Sequence, residues 1–165
     1  MMPNPVGSAL LRAADNCLSD GRRVPLANLH LTLAFLGDQS VARVDQLKAG
    51  AAELSARGCR LRLDTAGYFR RPRIAWLGPS ETPDALRALV RMLDGLCSTL
   101  NIQKPDEPRW RPHVTVARHA DAPACQPSRP VIWQVADFSL VQSRLTAEGV
   151  RYRALATWPM SSAGV

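Results

Sequence analysis

Two histidines in this chain of 165 residues begin the same five-residue pattern. The segments HLTLA (30–34) and HVTVA (113–117) both run His, apolar, Thr, apolar, Ala. The chain has only three histidines, and average residue frequencies give such a double match by chance roughly once in a thousand. The third, His119, begins no such pattern, and we interpret it as a surface or loop residue.

In a β-strand, side chains two residues apart point to the same face. His30 and Thr32 would therefore share one face of a strand, and His113 and Thr115 would share one face of another. The alternate positions are aliphatic and would be buried. The small Ala that follows each pair on its polar face leaves room for a ligand. The two copies predict two similar lobes that each contribute one strand to a shared cleft.

Two imidazoles beside two hydroxyls suit the cleavage of a phosphodiester. One imidazole can take a proton from the attacking water or hydroxyl, and the other can protonate the departing oxygen, because the histidine pKa lies near neutrality. Each Thr hydroxyl can donate to a phosphate oxygen, a bond worth roughly 1.5–3 kcal/mol with an ionised acceptor. This chemistry requires no metal and no cofactor.

The charge balance favours a polyanionic partner. The net charge is +7, from 21 Lys and Arg against 14 Asp and Glu, and only Lys48 and Lys104 are lysines. Arg binds phosphate in a bidentate manner that Lys cannot match. Six arginines flank the motifs, where they would suit RNA or, equally, form a generic solvated surface: Arg70, Arg71, Arg73, Arg109, Arg111 and Arg118. Tyr68, Phe69 or Trp110 could stack on a base, although core packing explains Phe69 equally well.

Three helices and seven strands are predicted, mixed along the chain, which indicates an α/β or α+β class. The helices span about 7–18, 40–58 (capped by Ser40) and 82–100 (capped by Thr82). Strands are predicted at 29–36, 59–63, 73–77, 113–117, 131–135, 138–141 and 152–158. Residues 104–112 and 121–130, rich in Pro or Asp, are predicted to be loops.

Composition excludes several classes of protein. Hydrophobic residues make up 46% and charged residues 21%, which is typical of a globular chain and not of disorder. No apolar stretch is long enough to span a bilayer. Because the first residues resemble no signal peptide, we expect a cytoplasmic protein. The cysteines at 17, 59, 97 and 125 are widely spaced, so free thiols are expected, with neither a disulfide framework nor a metal site.

The sequence resembles the RNA 2′,3′-cyclic phosphodiesterase (LigT-like, 2′-5′ RNA ligase-like) family of the 2H phosphoesterase superfamily. The blocks NLHLTLAFLG (28–37) and RPHVTVAR (111–118) resemble the two family motifs. GYF (67–69), PR (72–73) and WLG (76–78) resemble the central block, and FSLVQS (138–143) with 152–159 resembles the closing strands. The resemblance covers nearly the whole chain.

The resemblance implies one domain, 1–165, with an α+β bilobal fold: two antiparallel sheets around a central groove, with flanking helices. It implies hydrolysis of RNA 2′,3′-cyclic ends to 2′-phosphate, with His30 as proton donor to the 3′ oxygen and His113 as the base that activates water. Thr32 and Thr115 would bind phosphate. Arg118 matches a family arginine, and Phe69 is a further candidate for substrate binding. In a regular strand Arg118 would face away from His113, so it must lie beyond the strand or past a bulge.

Two further expectations concern the start of the chain and its substrate. The family opens with a strand before the first helix, whereas this chain enters a helix almost directly; the first strand is therefore expected to be missing. Two alternatives stay open: a nucleotide-binding module of the same fold without turnover, and a phosphodiesterase for small cyclic nucleotides. The expected partners are RNA ends or small cyclic nucleotides, with no membrane and no obligate protein partner.

Overall fold

The computed structural model of the protein describes residues 2–103, 110–147 and 149–162. Its internal contacts divide the chain into two compact units. Unit 1 comprises Met1–Thr32, Arg60–Thr82 and Pro112–Gln134, and unit 2 comprises Leu33–Cys59, Pro83–Arg111 and Val135–Val165. Both histidine motifs therefore begin in unit 1, which differs from the expectation of one motif per lobe.

The described residues form three α-helices and eight strands, so the predicted α+β class is confirmed. The helices are α1 (Asn4–Asp15), α2 (Val41–Ala52) and α3 (Asp84–Thr99), and a short 3₁₀ helix covers Leu26–Asn28. The strands are β1 (Arg22–Arg23), β2 (Cys59–Leu63), β3 (Thr65–Phe69), β4 (Ile74–Gly78), β5 (Val114–Arg118), β6 (Val131–Val135), β7 (Asp137–Thr146) and β8 (Gly149–Pro159).

All three predicted helices form, with shifted ends. α1 begins earlier than predicted because Pro5 fits the first helical turn, where its missing N–H leaves no broken bond. α2 follows Ser40 as predicted, and the Ser40 Oγ accepts a hydrogen bond from the N–H of Arg43 (3.3 Å). It ends at Ala52, well before the predicted exit at Gly58.

The third helix, α3, buries the predicted apolar stripe. Leu86, Leu89, Val90 and Cys97 are all buried along it. Its start differs from the prediction, because Pro83 and not Thr82 occupies the N-cap and no side chain caps the first turn. In unit 2 the stripe packs with Phe138 and the end of α2 in one cluster.

A four-stranded sheet with the order β1-β5-β4-β3 forms the centre of unit 1. All of its strand pairs are antiparallel. Val114 and Val116 of β5 and Leu77 of β4 are fully buried on one face of this sheet. Two further pairings, β2 with β6 and β7 with β8, form separate sheets. The hydrogen bonds of the described residues thus define three sheets, where the resemblance implied two.

Most of the predicted strands form, but the one that contains the first His-x-Thr motif does not. Residues 29–36 do not form a strand; only Leu31 makes an isolated antiparallel bridge, to Val114. β1 and β3 were not predicted. Residues 121–130 lack regular structure as expected. Of the other predicted loop, 104–109 lie outside the described residues and 110–112 contain no helix or strand.

The cysteine prediction was half wrong. Cys17, just after α1, forms a disulfide with Cys125, with the two Cα atoms 5.1 Å apart, and this pairing could not be read from the spacing of the cysteines. Cys59 and Cys97 are free and buried, as expected. No helix within 2–103, 110–147 or 149–162 has the length and apolarity needed to cross a bilayer. Among the described residues no strand precedes α1.

Candidate functional site

The two His-x-Thr motifs lie side by side in unit 1 because Leu31 pairs with Val114 in an antiparallel bridge. One residue to either side of this pair, His30 lies opposite Thr115 and Thr32 lies opposite His113. Residues directly opposite in an antiparallel pair have Cβ atoms about 4.5–5.5 Å apart. Each imidazole therefore lies next to the hydroxyl of the other motif. The four side chains share one face of the pair, and Val114 is buried on the other.

A bulge in β5 decides which side chain follows Thr115 on this face. β4 and β5 pair Trp76 with Thr115 but Ala75 with Ala117, which leaves Val116 as the extra residue. The bulge reverses the alternation, so Ala117 turns to the buried side, with no exposed surface. Arg118 then returns to the face of His113. The bulge therefore explains how Arg118 shares a face with His113, which a regular strand would not allow. The expectation that Ala117 lines the polar face was wrong.

His30 is held by a backbone carbonyl. Its Nδ1 lies 2.6 Å from the carbonyl oxygen of Asn28. A carbonyl can only accept, so Nδ1 carries a proton and donates it, which leaves Nε2 to exchange protons with a substrate. Burial lowers the pKa of His30 below its ordinary value, and the charges of Arg118 and His113 lower it further, whereas the Asn28 hydrogen bond acts in the opposite direction. His113 and Arg118 therefore both lie within electrostatic reach of His30.

His113 packs against two aromatic rings that also contact each other. The Phe69 ring meets its imidazole edge-on, at 82° with centroids 5.0 Å apart, and the Trp76 indole lies 6.0 Å away. Trp76 pairs with Thr115 on β5 and with Gly67 on β3. A Cβ at Gly67 would collide with the indole, so glycine is required there. Phe69 is thus brought to the site, in contact with His113.

Two other residues named from the sequence, Arg73 and Tyr68, bind groups just after Arg118 in the chain. Arg73 binds the Asp121 carboxylate (2.8 Å) and the carbonyl of Ala120 (3.2 Å). The hydroxyl of Tyr68 donates to the same carbonyl (3.0 Å). These bonds hold the turn that follows Arg118. Arg70, Arg71 and Arg111 are exposed, Trp110 is half-buried in unit 2, and Arg109 lies outside the described residues.

Two residues that contact the catalytic candidates were not identified as site residues from the sequence. Asn28 contributes its carbonyl, which carries no residue-type signal. Trp76 belongs to the family-like central block but had no assigned role, because its position opposite Thr115 depends on strand pairing. Among the described residues, no group of three or more His, Cys, Asp or Glu side chains could hold a metal ion.

Comparisons with known proteins find relatives of similar sequence. The chain is 34% identical to the RNA 2′,3′-cyclic phosphodiesterase of Escherichia coli over 143 residues, which covers 86% of this chain and 81% of the relative. It is 33% identical to the protein of the same name from Thermus thermophilus over 168 residues, 93% of this chain and 84% of that one.

Solved structures of similar fold are found as well. E. coli LigT complexed with 3′-AMP superposes with a TM-score of 0.88 at 29% identity, covering 97% of this chain and 94% of that one. TT0787 of T. thermophilus superposes with a TM-score of 0.79 at 28% identity, covering 99% and 96%. The family model described as the 2′-5′ RNA ligase superfamily matches residues 7–151. The chain is therefore a member of the 2′-5′ RNA ligase superfamily.

Proposed function

We propose that this protein hydrolyses RNA 2′,3′-cyclic phosphate ends to 2′-phosphates, without a metal or cofactor. The observation that carries the proposal is the pairing of Leu31 with Val114, which sets two imidazoles and two hydroxyls on one face. The names of the E. coli and T. thermophilus relatives support it. The proposed compartment is the cytoplasm, and the proposed partner is the RNA end alone.

In the proposed reaction, water attacks phosphorus in line with the P–O3′ bond. Nε2 of His30, protonated, gives its proton to the departing 3′ oxygen, while the His113 imidazole takes a proton from the water. The Thr32 and Thr115 hydroxyls and the Arg118 guanidinium hold the non-bridging oxygens, where negative charge builds up. The products are a 2′-phosphate and a free 3′ hydroxyl, and the enzyme returns to its first state once the two histidines re-equilibrate their protons with solvent.

Two other functions remain candidates. A nucleotide-binding module would not need two histidines for proton transfer, yet this chain has both of them on one face of the paired motifs. A phosphodiesterase for small cyclic nucleotides would use the same four side chains. E. coli LigT has been crystallised with 3′-AMP and with ATP, so that relative accommodates mononucleotides. Comparing a cyclic-ended oligonucleotide with a cyclic mononucleotide as substrates separates the three functions.

The direction of ring opening tests the roles of the two histidines. A 2′,3′-cyclic phosphate can open at either oxygen, and the oxygen that leaves is the one in line with the water and beside the proton donor. With His30 beside the 3′ oxygen, we expect only 2′-phosphate product. Phosphorus NMR of the opened end against both standards measures this. A 3′-phosphate product would exchange the donor and base roles of His30 and His113.

The pH profile tests whether one protonated and one neutral imidazole are needed together. Such a pair gives a bell-shaped profile. The pKa of His30 is lowered in the free protein, and a bound phosphate anion should raise it again. The two limbs belong to the pair of imidazoles and not to either residue alone. A higher His30 pKa should therefore move the profile of kcat, which reports the complex, to higher pH than that of kcat/KM, which reports the free protein. Coincident profiles would contradict His30 as the donor.

A further inference from the structure

The hairpin of β7 and β8 carries three arginines on one face, outside the site described above. Its register pairs Arg144 with Arg151 and Gln142 with Arg153. Partners directly opposite in a ladder share a face, and so do residues two apart in one strand. Arg144, Arg151 and Arg153 therefore lie together; we call them the arginine face. All three are exposed.

Two of the three arginines, Arg144 and Arg153, have no acidic partner among the residues that the structure describes. Like charges directly opposite in an antiparallel pair destabilise a sheet, and Arg144 stands opposite Arg151. The Arg144 guanidinium donates to the Gln142 side chain (3.0 Å). Glu148, between Thr146 and Gly149 in the sequence, lies outside the described residues. A bound polyanion would offset the like charges of Arg144 and Arg151.

The distal half of the hairpin is exposed on both faces. At its base, Phe138 stacks on Trp158 with centroids 5.2 Å apart, and both belong to a core cluster of unit 2. Towards the turn, Leu145 is 85% exposed and its partner Val150 is 41% exposed. The base thus fixes the hairpin, while its distal half is open to solvent and accessible to a partner.

We propose that the arginine face binds the sugar–phosphate backbone of single-stranded RNA; this rests on the proposed function, in which RNA is the substrate. Arg151 and Arg153 are about 7 Å apart along their strand, so each guanidinium can bind a different phosphate. Planar guanidinium groups suit bidentate phosphate contacts. Three cations are fewer than the four to eight typical of a membrane-surface cluster, which favours RNA over a lipid surface.

The test compares two double variants that remove equal charge from unit 2. Arg144→Gln with Arg153→Gln removes two cations from the arginine face. Arg87→Gln with Arg91→Gln removes two exposed cations from α3 and is the matched control. Fluorescence anisotropy measures binding of a single-stranded RNA of about twenty nucleotides with a 3′ hydroxyl, at several salt concentrations. This RNA has no cyclic end, so the readout does not depend on turnover.

For the hairpin variant, we expect the slope of the logarithm of the association constant against the logarithm of the salt concentration to become shallower by about 1.4. This is about 0.7 for each lost phosphate contact. Affinity at low salt should fall about tenfold. The α3 variant should keep the wild-type slope, and both variants should hydrolyse a short cyclic-ended dinucleotide at the wild-type rate. A wild type without cyclic phosphodiesterase activity would overturn the proposed function and leave this binding result standing.

Two outcomes would overturn the proposed RNA surface. If both double variants weaken RNA binding equally, the effect is one of overall charge. If the hairpin variant binds RNA like the wild type but loses binding to vesicles containing an anionic phospholipid, the arginine face binds a lipid surface instead. Circular dichroism melting of both variants checks that each chain is folded.

Discussion

Alanine at His30 or at His113 is expected to lower kcat about 10²–10⁴-fold, the usual contribution of a general acid or base. The free-energy losses of the two single variants should not add in the double variant, because the two histidines act together in one reaction step. His113→Gln is a needed companion, since alanine also empties the space beside Phe69 and Trp76. Single-turnover hydrolysis of a cyclic-ended oligonucleotide measures each variant, and a strong chelator should leave the wild-type rate unchanged.

The third histidine provides the control for this experiment. His119 is exposed and has a φ of 53°, a conformation that asparagine tolerates better than alanine does. His119→Asn should therefore retain nearly full activity. Loss of activity in all three histidine variants would indicate a general effect on the fold. Retained activity in His30→Ala, or turnover abolished by chelation, would refute the two-histidine reaction.

Replacing Arg118 by alanine should cost about 10²-fold in kcat, comparable to the loss of one preorganised donor to the developing charge. Arg118→Lys should recover only part of the rate, because an ammonium lacks the guanidinium fork. The variant also has a second readout. The positive charge of Arg118 lowers the pKa of His30, so its removal should move the pH profile of kcat/KM to higher pH. Steady-state kinetics from acid to alkaline pH measure both effects.

An exposed arginine in the same unit serves as the control. Arg70, in the turn between β3 and β4, is exposed, and Arg70→Ala should change neither the rate on a short substrate nor the pH profile. An Arg118→Ala variant with a reduced rate and an unshifted profile would mean that Arg118 affects the reaction without interacting with His30. A normal rate would remove Arg118 from the proposed site.

The sequence predicted which motif side chains share a face, because alternation along a strand is a local property. The sharing of one face by His113 and Thr115 follows from their spacing alone, and the structure agrees. The direction of Ala117 and Arg118 depends on a bulge at Val116, which arises only when β4 pairs with β5. Residue types in β5 carry no trace of it. The relation between Arg118 and His30 was therefore open until the strand register was known.

The strands that were predicted wrongly also depend on pairing with neighbouring strands. β3 contains Gly67, which argues against a strand, yet that glycine is required because the Trp76 indole lies over it. β1 spans two residues and is too short for any pattern to emerge. Residues 29–36 alternate like a strand, but only Leu31 finds a partner. Propensity describes what a segment can form, whereas its neighbours determine whether it pairs.

The bulge in β5 also constrains how this part of the chain can vary among relatives. Arg118 lies an odd number of positions after His113, and only the extra residue at Val116 puts both side chains on one face. A relative that lost the bulge would need its arginine four residues after the histidine to keep the same geometry. Bulge and odd spacing must therefore be inherited together, and a single-residue insertion or deletion between Thr115 and Arg118 would turn the guanidinium toward the core.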